Sequence, residues 1–171
     1  MIKVLITGAN SYVGISVEKW LMKTSGQFQV DTVDTMNGGW KEADFSKYDV
    51  VFHVAGIAHV DPKPEMASLY YKVNCDLTVE IAKHAKICGV KQFVFMSSKI
   101  VYQSSKDLRD HMVTLSTEPK PNDFYGDSKL QAEKGLNALA SETFKVANLR
   151  PCMIYGPNSK GNFLRLGWLG T

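Results

Sequence analysis

The chain has 171 residues, 44% apolar and 22% charged, with a formal net charge of +3, figures that fit a single globular domain and exclude a disordered chain. Its basic residues are scattered rather than gathered in a run of five or six, which excludes a stripe for nucleic acid or an anionic membrane as partner. Cys75, Cys88 and Cys152 are odd in number and lack C-x-x-C spacing, so neither a disulfide framework nor a zinc site is expected, and no metal site of any kind is read from the sequence.

The opening residues MIKVLITG run straight into an apolar strand, without the features of a secretory signal. No stretch reaches the roughly 18 apolar residues that span a bilayer, so a cytoplasmic protein is expected. Short runs rich in Val, Ile, Leu and Phe then alternate with helical patterns. Strands are predicted over Ile2–Thr7, Gln29–Asp34, Val50–Val54, Gln92–Ser97 and Lys145–Arg150, with a shorter sixth near Lys41–Asp44. Each clear run is too short for a helix and apolar enough to be buried on both faces. Between them, Val13, Val17, Trp20 and Leu21 recur at helical spacing, as do Leu69, Val73, Leu77, Ile81, Ala85 and Cys88. A third helix is predicted from Phe124 to Ala140. The polar stretch from Gln103 to Asn122 has no period and reads as a long loop of the kind that serves function. The alternation gives the fold class: α/β, a Rossmann-like doubly wound parallel sheet with helices on both faces.

Three groups of residues carry chemistry. Thr7-Gly8-Ala9-Asn10-Ser11-Tyr12-Val13-Gly14 joins the first strand to the first helix, where backbone N–H groups and the positive helix end can face a pyrophosphate. Gly8 permits the tight turn and Gly14 the close approach of helix to sheet, while Asp34, at the end of the second strand, can accept from an adenosine ribose and would repel a 2′-phosphate. Tyr125 and Lys129 stand four residues apart and share a helix face, so the ammonium is expected to draw the phenol down from its usual pKa near 10. The strand over Gln92–Ser97 runs into Ser98, placing a hydroxyl at the carboxyl end of the sheet.

Taken together, these segments resemble the extended short-chain dehydrogenase/reductase superfamily, in particular its NAD-dependent epimerase/dehydratase branch and the UDP-glucose 4-epimerases. TGANSYVG is similar to that family's TGxxGxxG turn, with Ser11 in place of the middle glycine. Asp44-Phe45 resembles its adenine-contacting pair and His53-Val54-Ala55-Gly56 its HxAG strand end. Val73-Asn74 resembles xxNVxGT, Ser97 to Tyr102 resembles SSxxVYG, Tyr125 to Lys129 resembles YxxxK, and Leu149 to Pro157 resembles LRxxNxYGP with Met153 at the Asn. The resemblance runs from Met1 to about Phe163.

It implies a sheet order of 3-2-1-4-5-6 and NAD as cofactor, held by Gly8, Asn10, Ser11, Tyr12, Val13, Gly14, Asp34, Asp44, Phe45, Val54, Ala55, Gly56, Asn74, Tyr125 and Lys129. Ser98, Tyr125 and Lys129 are the implied catalytic residues, and Ser98, Tyr125 and Asn162 the implied substrate contacts. His53 receives no catalytic role, and Ser97 is read as structural. The implied reaction is epimerisation of a nucleotide sugar, a UDP-hexose, through a transient 4-keto sugar. Lys99 and Ile100 stand where the 4,6-dehydratases of the family carry Asp and Glu, which disfavours dehydration. The alternatives are a sugar-nucleotide reductase or dehydrogenase, and a non-catalytic NAD-binding fragment. Residues 1–171 are expected to be one NAD-binding domain, because family members carry a further substrate-binding region that this length leaves largely absent. A homodimer is implied through the helices Glu65–Cys88 and Phe124–Ala140, with apolar surface around Phe163, Leu164, Leu166, Trp168 and Leu169.

Overall fold

The computed structural model describes residues 1–58, 63–102 and 112–157. Each of the five clear apolar runs forms a strand: β1 (Ile2–Thr7), β2 (Phe28–Val33), β3 (Val50–His53), β4 (Gln92–Met96) and β5 (Lys145–Leu149). They pair in parallel in the order β2-β1-β3-β4-β5. Register aligns the carboxyl ends, with Thr7 opposite Val33 and His53, and His53 opposite Phe95. The chain winds from β1 outward to β2 and then back past β1 to β3. That reversal opens a crevice beyond the strand ends, the usual place for a ligand in such sheets.

Helices cover both faces because strand side chains alternate. Leu5, Val51, Phe93 and Phe95 are buried on one face with Ile81, Ala82 and Ala85 of α3 (Leu77–Ile87) and Ala132 and Leu136 of α4 (Phe124–Leu139). Val4, Ile6 and Phe52 are buried on the other, against Val13, Val17 and Leu21 of α1 (Tyr12–Met22). Here α2 denotes the short helix Ala67–Tyr70 that leads towards α3.

Three expectations are corrected. The sixth strand near Lys41–Asp44 does not form: Gly39–Lys41 and Phe45–Lys47 are 3-10 turns, so the expected outermost position of the 3-2-1-4-5-6 order is empty of a strand among the described residues. Gly38, at φ +73°, turns the chain, and Trp40 and Phe45 are drawn into the core beside His84 rather than out to the sheet edge. Second, Trp20 lies exposed on α1.

Third, the long helical region is not one regular stripe. Between α2 and α3 the chain makes a π-helical turn, Tyr71–Asp76. The buried series becomes Tyr70, Asn74, Thr78, Ile81 and Ala85, while Leu69 is exposed. A wide turn of this kind adds a residue to the helical repeat and is frequent at functional sites; here it coincides with turning Asn74 and Thr78 inward.

Candidate active site

At the mouth of the crevice, the turn after β1 is held by backbone geometry. Gly8 has φ +112°, and a Cβ there would sit 2.7 Å from the Ala55 nitrogen. Only glycine meets both demands. Asn10 takes φ +66°, a left-handed conformation that Asn adopts more readily than most residues. Ser11 sits at φ −73° and ψ 146°, which any residue adopts, so its position does not require the glycine of the family pattern. It is the N-cap of α1, its hydroxyl accepting from the Gly14 N–H at 3.0 Å. Gly14 leaves room for this, since a Cβ on it would lie 2.6 Å from Ser11 Oγ. The N–H groups of Tyr12 and Val13 open the helix with no intrahelical partner, as the first helical N–H groups must. The geometry therefore fits a pyrophosphate: a turn without a side chain at Gly8, and a helix end presenting donors. Gly156 comes over this end of the helix, where a Cβ would meet the Tyr12 hydroxyl at 2.6 Å.

Two acidic positions follow β2 in the chain. Asp34 directly follows β2 and is exposed; one oxygen accepts from the Met36 N–H at 2.9 Å, leaving the other for a ribose hydroxyl. Asp44 caps the turn Phe45–Lys47, accepting from the N–H and hydroxyl of Ser46, which with Lys47 hold its carboxyl below the usual range. Phe45 is fully buried in the core against His84. Its ring is therefore turned into the core and is not placed to meet an adenine.

Beyond β3, the N–H groups of Val54 and Ala55 both donate to the Thr7 carbonyl at 3.0 Å, which locks this segment against the phosphate turn. Asn74 holds the next residues: its Oδ1 accepts from the Ile57 N–H at 2.8 Å, and its Nδ2 donates to the Ile57 carbonyl and to Ser128 Oγ, both at 3.2 Å. A Cβ on Gly56 would lie 3.0 Å from both Asn74 Oδ1 and Lys129 Nζ. The missing side chain at Gly56 thus leaves room for both groups.

His53 lies beneath. The Thr78 hydroxyl donates to the Asn74 carbonyl at 2.9 Å, so it can only accept from His53 Nε2 at 3.0 Å; Nδ1 then accepts from the Thr7 hydroxyl at 2.6 Å. This fixes a neutral imidazole. Burial, together with the Lys129 charge, lowers its pKa to about 3. It is a structural link between β1, β3 and the helix.

Ser98, Tyr125 and Lys129 converge at the carboxyl end of β4. Asp123 caps α4 by accepting from the Gly126 N–H at 2.6 Å. Gly126 lets the first turn of α4 press onto the turn Lys99–Val101, since a Cβ would lie 2.7 Å from the Ile100 carbonyl oxygen. That close approach brings Tyr125 beside Ser98, whose hydroxyl acts on the phenol. Lys129 is buried, its Nζ donating to the Met96 carbonyl at 3.0 Å and standing 4.7 Å over the Phe95 ring. Burial lowers its ammonium to about 8, opposed by Glu133. For Tyr125, burial pushes the phenol up and the Ser98 hydroxyl pulls it down. Burial, rather than the expected pull of Lys129, therefore dominates this phenol.

Sequence reading missed several contributors. Gly126 can be traced to a local signal, a glycine in a first helical turn; Asn74 was expected at the site, and the structure ties it to Ile57 and Ser128. Glu133 follows Lys129 by one helical turn, but its pairing with Arg150 and Ser97 joins segments remote in sequence and gave no local signal. Met153 is exposed, and Asn162 lies outside the described residues, as do Phe163, Leu164, Leu166, Trp168 and Leu169. Among the described residues no group of His, Cys, Asp and Glu could hold a metal ion, and no helix is long and apolar enough to cross a membrane.

A parallel sheet with a glycine turn at the end of its first strand is the frame of a Rossmann-like, dinucleotide-binding fold. The chain belongs to the NAD-dependent epimerase/dehydratase family, whose model matches residues 4–165. It is 34% identical over 181 residues to the UDP-glucose 4-epimerase of Vibrio cholerae, with 95% of this chain and 55% of that protein covered. It is 32% identical over 148 residues to a decarboxylating sterol-4-alpha-carboxylate 3-dehydrogenase of Schizosaccharomyces pombe, covering 84% and 42%. Among solved structures, MoeE5 in complex with UDP-glucose and NAD superposes with a TM-score of 0.80 at 25% identity, covering 92% of this chain and 56% of that one. UDP-glucuronic acid 4-epimerase from Bacillus cereus, in complex with NAD, shares the fold with a TM-score of 0.75 at 22% identity, covering 91% and 57%. The chain thus spans about half the length of the relatives it matches.

Proposed function

We propose that this chain binds NAD along the carboxyl edge of its sheet and acts on a nucleotide sugar, a UDP-hexose, as a 4-epimerase. The observation that carries the reading is the packing of the first turn of α4 on the turn that follows Ser98, which brings Tyr125 beside Ser98 with Lys129 one helical turn further along, at the carboxyl end of β4. In this reading the pyrophosphate sits on the N–H groups of the turn from Gly8 to Gly14, including Asn10, Ser11, Tyr12 and Val13. Asp34 takes the adenosine ribose, Asp44 takes the adenine, with Phe45 anchoring that turn in the core, and Val54, Ala55 and Gly56 line the path to the nicotinamide end. Asn74 holds that wall in place, and Asn162 is a proposed contact to the sugar.

NAD, when bound, would supply the reversible hydride chemistry needed at the sugar carbon. Tyr125 takes the proton of the sugar hydroxyl as its general base, and gives it back when the 4-keto sugar is reduced from the other face. Ser98 donates to the same sugar oxygen and orients it. Lys129 stabilises the phenolate and binds the nicotinamide ribose. The phenol lies high without ligand, so base chemistry at neutral pH calls for extra positive charge beside it, which the oxidised nicotinamide carries.

The test is to supply UDP-glucose, UDP-N-acetylglucosamine and their galacto isomers with NAD. Interconversion without net NADH supports the epimerase. The sterol dehydrogenase relative favours a second reading, a dehydrogenase or reductase, and net formation or consumption of NADH would select it. Binding of NAD with no turnover would instead select a cofactor-binding fragment. A homodimer through α2, α3 and α4 is part of the proposal, and the mass in solution checks it.

A further inference from the structure

Three successive residues at the end of β4 are tied to three successive turns of α4. Ser98 stands beside Tyr125, the Met96 carbonyl accepts from Lys129, and the Ser97 hydroxyl donates to Glu133. Tyr125, Lys129 and Glu133 are spaced by four, so one helix face meets one strand end at three points. Glu133 carries more than this. Arg150, just after β5, donates its Nε to Oε1 at 3.0 Å and to Oε2 at 3.2 Å, and adds a bond from Nη2. The same guanidinium lies 5.0 Å over the Tyr102 ring and donates to the Tyr102 hydroxyl. Tyr102 closes the short turn that begins at Ser98.

Glu133 is 1% exposed, and a carboxylate so deeply placed is costly unless its oxygens are fully paired. Here they are. The cluster encloses the reactive end from behind, joining the ends of β4 and β5, the turn Lys99–Val101 and α4, yet the mechanism above makes no use of it.

We propose that Glu133, clamped by Arg150 and Ser97, is the positioning residue that keeps Tyr125 and Lys129 in register with Ser98. The proposal rests on the functional reading above for the importance of that register. Glu133 acts on Lys129 in two ways: it fixes the helix turn that carries the side chain, and it sets a negative charge one turn away. The charged or titratable groups facing Lys129 are Glu133 and Tyr125 from α4 and the neutral His53 from β3. Glu133 is the one that opposes the lowering of its ammonium by burial.

The experiment compares the full chain with Glu133→Gln and Glu133→Asp, following the Lys129 Cε resonance in lysine-labelled protein as pH is raised, and measuring NAD affinity and turnover of UDP-glucose. The wild-type midpoint is expected near 8. Glu133→Gln is expected to lower it, while Glu133→Asp, which keeps the charge, restores it towards the wild-type value. In both variants kcat is expected to fall by about tenfold or more, with NAD affinity changed by less than about twofold, because a small displacement of reacting groups costs rate before it costs binding. An unmoved Lys129 midpoint in Glu133→Gln, or an unchanged kcat in Glu133→Asp, overturns the proposal. Should Glu133→Gln not fold, Ser97→Ala severs one bond and leaves both charges, and is expected to lower kcat about threefold with an unchanged melting temperature; an unchanged kcat there also overturns it. A wild-type chain that neither binds NAD nor turns over defeats the functional reading, while the Lys129 midpoint still tests this one.

Discussion

The two ends of the crevice are built by different means. The phosphate turn is shaped by backbone: Gly8 at φ +112°, pressed on the Ala55 nitrogen, and a helix whose first N–H groups face outward. The reactive end is shaped by side chains, through Ser98 with Tyr125, Lys129 with Met96, and Asn74 with Ile57 and Ser128. A site held by backbone tolerates exchange of its side chains but not of its glycines. One held by buried polar side chains responds to the loss of a single atom.

The largest expected effect lies at the side-chain end. Tyr125→Phe removes one oxygen and should lower kcat by about 10²- to 10⁴-fold, the range attributed to a positioned acid or base. NAD affinity, measured by fluorescence titration, should change by less than about threefold, because the phosphate turn is untouched. A matching loss of NAD affinity would show that the two ends are not separable.

At the backbone end the counterpart is Gly8→Ala. It places a Cβ 2.7 Å from a backbone nitrogen at a φ that side chains rarely adopt. The strain alone costs about 1–3 kcal/mol. The melting temperature should fall and NAD affinity with it, whereas residual turnover at saturating cofactor should fall far less than in Tyr125→Phe. Differential scanning calorimetry and a cofactor titration check both.

The pH dependence of stability joins the two ends, since His53 bonds Thr7 on one side and Thr78 on the other. Its pKa is lowered from 6.5 unfolded to about 3 folded. Between these values the unfolded chain binds the extra proton, so the stabilising contribution is complete above 6.5 and is lost as pH falls towards 3. Lys129, lowered from 10.5 to about 8, has the same sign in a higher window: the chain gains stability as pH rises from about 8 to 10.5. Denaturant titrations across both windows should show these two slopes. His53→Gln should flatten the first without altering the second.

Legibility in the sequence follows the same division. The strands were readable because each is a short run rich in apolar residues, although the edge strands β2 and β5 are half-exposed rather than buried on both faces, and the phosphate turn because Gly8 and Gly14 mark positions where a side chain is excluded. Tyr125 and Lys129 were readable because four residues is one helical turn. The strand expected at Lys41–Asp44 failed because Trp40 and Phe45 found a better burial under α3 than at the sheet edge. The stripe through Leu69 and Val73 failed because the π-helical turn follows from where Asn74 finds partners, 17 residues away at Ile57. Glu133 and Arg150 were silent for a related reason: their pairing joins a helix to the end of a strand, and neither residue looks unusual in its own segment.

The smallest effect falls on Ser11, where the two kinds of construction meet. Its hydroxyl caps α1 through the Gly14 N–H, yet its backbone lies in an unstrained extended conformation, and it stands where the family pattern has glycine. Ser11→Ala removes the cap and keeps the Cβ, so it should cost about 1 kcal/mol of stability, whereas Ser11→Gly should cost only a few tenths. NAD affinity should be lower by no more than about twofold in either variant, because the donors facing the pyrophosphate are N–H groups of the turn. If Ser11→Ala instead weakened NAD binding about tenfold while leaving the melting temperature unchanged, the hydroxyl would be a phosphate ligand rather than a helix cap. The turn would then depend on a side chain after all.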